Sequence, residues 1–247
     1  RIVHCEIMVE PQTYLPQGVD LATMMAGFER AIAEARDGWN QSVGLILSFL
    51  RHLPEEDCLS MLEAADPFRE RFVAIGLASS EKDFPPTGFQ RLYAAAKARG
   101  YRLTAHAGEE GPASFVRDAL KLLRVERIDH GVRAIDDEAL LDDLAAQRIP
   151  LTVCPLSNLR LRVVGAMDEH RIFDLLERGL CVTVNSDDPA YFGGDLLDNF
   201  AALERDLGMS RAQAGRLVRN GFEAAFLDDD VKALLAGEVE AYLADDS

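Results

Sequence analysis

The sequence predicts an α/β fold built on parallel strands, either a (β/α) barrel short of one strand or an open doubly wound sheet. Three observations lead there. Seven short β-rich runs recur at intervals of about 25–40 residues, the length of a strand–helix unit. Several of these runs are continuously apolar, as strands buried on both faces are. The stretches between them carry helical spacing and stop at glycines, the usual residue just past a helix end.

The first strand is expected over Ile2–Val9, so the chain is strand-like almost from Arg1. A helical pattern over Leu21–Arg36 stops near Gly38. Val43–Phe49 and Phe72–Leu77 are the second and third strands. A helix over Phe89–Arg99 ends at Gly100, ahead of strand four, Tyr101–Ala105. Arg127–Val132 and Ile149–Val153 follow, then a helix over Phe173–Arg178 that ends at Gly179, then Leu180–Val184. After Phe192 only helices are expected. Leu227–Ser247 sets seven acidic groups against Lys232, the pattern of a solvated helical face. No repeat, low-complexity tract or Pro/Gly-rich linker interrupts the chain, so residues 1–247 read as one domain.

Composition narrows the function. The 247 residues approach the ~250 of a (β/α)₈ barrel. The charge sum, 26 − 42 = −16, argues against a nucleic-acid backbone or an anionic membrane as partner, since both need a basic face. No apolar run reaches the ~18 residues of a membrane helix. Dinucleotide and P-loop fingerprints are missing. Cys5, Cys58, Cys154 and Cys181 form no CxxC pair and are too sparse for a disulfide scaffold, so reduced thiols and a cytoplasmic location are expected. Oligomeric state is not fixed, and a homo-oligomer is compatible with everything above.

Chemistry gathers at four successive strand ends. They read His106-Ala107-Gly108-Glu109-Glu110, Asp129-His130-Gly131, Cys154-Pro155-Leu156-Ser157-Asn158 and Asn185-Ser186-Asp187-Asp188-Pro189. In a barrel these ends converge on one mouth, where active sites sit. Each group alone has a bland reading. His106 could be a satisfied core histidine, Glu109 and Glu110 could open a helix, and Asp187-Asp188-Pro189 could be a turn. His4 and His52 are weaker candidates, and His170, in a polar stretch, is expected to face solvent. Together, however, two histidines and two adjacent aspartates at strand ends form a ligand set for zinc or another divalent first-row metal. A metal makes hydroxide available near neutral pH, and a glutamate can deliver a proton to nitrogen. That is equipment for metal-assisted hydrolysis.

These four segments, in this order, resemble the adenosine/adenine deaminase family over nearly the whole chain. The resemblance implies a (β/α)₈ TIM-type barrel with one catalytic metal per chain, usually zinc, and hydrolytic loss of the 6-amino group of a small-molecule purine. It implies that His106 and Asp187 bind the metal. Glu109 would protonate purine N1, and His130 would orient and support the attacking hydroxide. Asp188 would contact the substrate at N7, and Ser79 to Glu81 would line the purine pocket. Ser79-Ser80-Glu81, Leu156-Ser157-Asn158 and the run Asp188 to Gly194 resemble the adenine-specific members, so adenine is the expected substrate. Adenosine and N6-substituted adenines are the alternatives.

One departure shapes the expectation. The family carries a His-x-His pair on its first strand, and this chain has none; His4 stands alone on a strand that matches the family's second. The seven-strand count agrees. The expected fold is therefore a barrel lacking its first strand and helix, with two further metal-binding histidines expected before Arg1. A non-catalytic barrel homologue is the competing reading. Intact Glu109, His130, Asp187 and Asp188 oppose it.

Overall fold

Strands form where the sequence is continuously apolar. In the computed structural model, which describes residues 2–245, they fall into two compact units. One runs up to His106 and takes in Asp118–Val125; the other comprises Ala107–Arg117 and the chain from Glu126 onward.

In the first unit β1 (His4–Val9), β2 (Ser42–Leu50), β3 (Phe72–Ala78) and β4 (Arg102–Ala107, the last residue lying past the unit boundary) are parallel and pair in sequence order. Every residue of β2 from Gly44 to Leu50 is buried, which is why this run shows no alternation. The helices are α1 (Pro11–Tyr14), α2 (Leu21–Trp39), α3 (Glu55–Ala64) and α4 (Gln90–Ala98). The Asp20 carboxylate caps α2 by accepting from the Thr23 N–H. Its far end is Asn40, in the left-handed region at φ +53°, so the helix runs past Gly38.

The second unit opens with α5 (Ala113–Asp118), and the π-helical turn that follows, Ala119–Leu123, belongs to the first unit. Its strands β5 (Arg127–His130), β6 (Pro150–Val153) and β7 (Cys181–Val184) are again parallel neighbours in sequence order. The remaining helices are α6 (Glu138–Gln147), α7 (Pro155–Arg160), α8 (Ile172–Glu177), α9 (Pro189–Phe192), α10 (Leu196–Leu207), α11 (Arg211–Ala224) and α12 (Asp229–Asp245). Strand β5 stops two residues before its apolar run does, because His130 and Gly131 both take positive φ, +63° and +73°. A Cβ at Gly131 would stand 2.7 Å from Leu151 Cδ2, so no other residue fits there without displacement. The described part of the acidic tail, α12, buries none of its residues, as expected. Among the described residues no helix is long and apolar enough to cross a membrane. All four cysteines are free thiols.

Candidate functional site

Helix α7 begins directly after β6, with Pro155 at its first position, where a missing N–H costs nothing. Its next residues reach two different carboxylates. The Ser157 hydroxyl donates to Asp187 Oδ2 at 2.6 Å. The Asn158 amide Nδ2 donates to Glu109 Oε1 at 3.4 Å. Both side chains are fully buried. The turn is braced from α10, where Asn199 Oδ1 accepts the Leu156 N–H at 3.0 Å.

Three residues singled out in the sequence meet in this unit. Glu109 Oε1 lies 3.3 Å from His130 Nδ1, and Asp187 Oδ2 lies 4.0 Å from His130 Nε2. Glu109 and His130 are buried, at 8% and 2% exposure. The Asp187 side chain keeps 23% of its surface open, so it is the member that solvent reaches. Its other oxygen, Oδ1, accepts the Asp188 N–H at 2.9 Å. Asp187 and His130 both hold positive φ, +58° and +63°. Such backbone costs roughly 1–3 kcal/mol per residue and persists only where the surroundings enforce it, commonly at functional sites. Gly108, just before Glu109, also has positive φ, and a Cβ there would fall 2.6 Å from Val116 Cγ2. Asp188 caps α9 by accepting the Tyr191 N–H, so it has the turn-forming role that the sequence allowed. Asp129 is buried beside Arg127 at 3.7 Å and accepts from Thr152.

The sequence left Cys154 out of the site. Its Sγ, a ring nitrogen of His130 and a carboxylate oxygen of Asp187 all lie within 4.8 Å of one another. Complete burial, reinforced by nearby Asp187 and Glu109, pushes the thiol well above its ordinary pKa. It donates to the Thr152 carbonyl. Nitrogen and carboxylate donors at this spacing suit a divalent metal, and the Cys154 sulfur would join them only on giving up its proton.

The other candidates stand at strand ends of the first unit. His106 is the penultimate residue of β4, and its carbonyl accepts from Arg51 Nη1 at 2.7 Å. Arg51 has no exposed surface, and its Nε donates to the Phe84 carbonyl at 2.8 Å. Burial pushes the guanidinium pKa down, while the nearby Glu81 charge pushes it up. Glu81 itself is 2% exposed. Ser79 takes φ +75° and bonds its hydroxyl to His52 Nδ1 at 2.8 Å.

Sequence reasoning missed Arg51, and it gave no roles to Ser157 and Asn158 although both sit in a quoted segment. His170 departs from expectation: it is 5% exposed rather than solvent-facing. A cavity of about 300 Å³ is lined by Arg133, Val164, Glu169, His170 and Leu175 among others, and Glu109, His130 and Asp187 are not in its wall.

Comparison with known proteins identifies the family. The adenine deaminase of Hahella chejuensis is 50% identical over 243 residues, covering 98% of this chain and 73% of that protein. The crystal structure of adenine deaminase from Arthrobacter aurescens superposes with a TM-score of 0.95 at 43% identity, covering 98% of this chain and 74% of that one. An amidohydrolase from Burkhoderia ambifaria with bound Zn gives a TM-score of 0.90 at 28% identity, over 98% of this chain and 69% of that one. The family model described as adenosine deaminase matches residues 1–242. With so much of the chain matched, it belongs to the adenosine deaminase family.

Proposed function

We propose that this chain catalyses the hydrolytic deamination of adenine, releasing hypoxanthine and ammonia, with one zinc ion per chain. The observation that carries the reading is the meeting of Glu109, His130 and Asp187, two of them in strained backbone, in a chain whose named relatives are adenine deaminases. We further read the seven parallel strands as the second to eighth of a (β/α)₈ barrel and the enzyme as cytoplasmic.

Zinc, when bound, acidifies water so that hydroxide is at hand near neutral pH. His106 and Asp187 would hold it, supplying two of the three or four protein ligands that catalytic zinc uses. Ser157 keeps Asp187 turned by donating to Oδ2. Glu109 would deliver a proton to purine N1 as C6 is attacked, which makes the ring carbon electrophilic. His130, beside both carboxylates, would orient the nucleophile. Asp188 would meet N7, and Ser79 to Glu81 would line the base.

Ammonia release from adenine by the zinc-loaded enzyme tests this, with Glu109→Gln as control. The amide keeps the shape but has no acidic proton, so kcat should fall by at least ~10²-fold. Loaded enzyme that leaves adenine untouched but turns over adenosine or an N6-alkyl adenine would move the substrate. Inertness toward all three would remove the reading.

A further inference from the structure

Behind Glu109 runs a chain of buried hydrogen bonds that begins at a backbone donor whose direction is fixed. The Ile172 N–H donates to His170 Nδ1 at 3.2 Å. That ring nitrogen is therefore an acceptor, and the neutral imidazole carries its proton on Nε2. Nε2 lies 3.2 Å from Asn158 Oδ1. A donor there holds the amide with its oxygen toward His170 and its NH₂ toward Glu109, where Nδ2 meets Oε1 at 3.4 Å. The reverse orientation would set the amide NH₂ against the Nε2 proton, donor against donor. Burial keeps His170 neutral by lowering its pKa to about 4, so the direction of the chain holds across the neutral range.

From this we infer that His170 and Asn158 are positioning residues: the imidazole fixes the amide, and the amide makes Oε1 the accepting oxygen of Glu109, leaving the carboxyl proton on Oε2. The inference rests on Glu109 being the proton-delivering acid. It concerns how that acid is aimed. It assigns to the last residue of Leu156-Ser157-Asn158, and to a histidine twelve residues further on, a part in the reaction without contact to substrate.

Four variants of the holoenzyme test it by steady-state adenine deamination. His170→Leu removes the donor, and kcat should fall at least about 10-fold while KM changes little, because aim is lost and binding is not. His170→Gln can place an amide NH₂ where Nε2 was and an oxygen where Nδ1 was, and it should recover kcat to within a few-fold of wild type. Asn158→Ala should be impaired, and Asn158→Ala/His170→Leu should be no worse than Asn158→Ala alone, since both act through one amide. A His170→Leu enzyme with wild-type kcat, a Gln variant as poor as the Leu one, or penalties that multiply in the double variant would each overturn the inference. Should His170→Leu fail to fold, ¹⁵N NMR of the wild-type imidazoles decides. His170 should show a bare Nδ1 and a protonated Nε2 at neutral pH, and the opposite tautomer would refute the chain. If the wild-type holoenzyme turns over no 6-aminopurine, the deaminase reading has failed, while the tautomer still tests the hydrogen-bond chain by itself.

Discussion

Asp187 gives its two carboxylate oxygens different work. Oδ1 is tied locally to the Asp188 N–H, which helps hold the residue in its left-handed backbone. Oδ2 takes the Ser157 hydroxyl at 2.6 Å and points within 4.0 Å of His130. A hydroxyl on a ligating carboxylate orients it, and losing such a partner commonly costs 10–100-fold in metal affinity. On the proposed assignment of Asp187 as a metal ligand, Ser157→Ala should weaken metal binding by about that factor, read by competition with a chelator, and Ser157→Thr should restore most of it. Equal affinity in wild type and Ser157→Ala would mean that Asp187 is no ligand, or that the hydroxyl does not steer it.

At the scale of elements, one arginine ties together three strand ends. Arg51 follows β2; its backbone N–H reaches the Ala78 carbonyl at the end of β3, and its side chain reaches Phe84 and His106. Lysine could not replace it, because a single ammonium lacks the planar fork that meets two carbonyls at once. Arg51→Met should lower the unfolding free energy by about 3–5 kcal/mol, since it removes the buried charge facing Glu81. Arg51→Met/Glu81→Met should win part of that back. Urea titration checks both, and a loss under 1 kcal/mol in the single variant would show the cluster to be incidental. The strands themselves were legible because burial on both faces leaves an unbroken apolar run, as in β2. Their ends were less so: β5 stops where His130 turns left-handed, a backbone event that the apolar Val132 conceals. Helix α3 escaped notice altogether, since Glu55, Glu56 and Asp57 at its start look like loop. In the site, residues next to a strand end announced themselves by local motif. Arg51 and His170 did not, because their partners lie 33 to 55 and 12 residues away. His170 sits among Asp168, Glu169 and Arg171, which made it look solvent-facing.

Over the whole molecule two effects set the response to acid, and they have opposite signs. The net charge of −16 makes the folded chain repel itself at neutral pH, and protonating carboxylates relieves that repulsion. His170 acts the other way. Unfolded, it takes a proton near 6.5; folded, only near 4, because burial penalises the cation. Between those values the unfolded chain binds the extra proton, so stability falls as pH falls, by at most about 1.4 kcal/mol per pH unit. The full loss is roughly 3 kcal/mol, complete below pH 4 and absent above 6.5. Salt separates the two effects. At about 1 M the screening length is near 3 Å, which suppresses surface repulsion but leaves a desolvated imidazole unaffected. His170→Gln, which does not titrate, should therefore lose less stability than wild type between pH 6.5 and 4, and the gap should persist in high salt. Urea unfolding at stepped pH measures it. Parallel curves for the two proteins would mean that His170 takes its proton as readily folded as unfolded, so that in acid Nδ1 would no longer accept the Ile172 N–H.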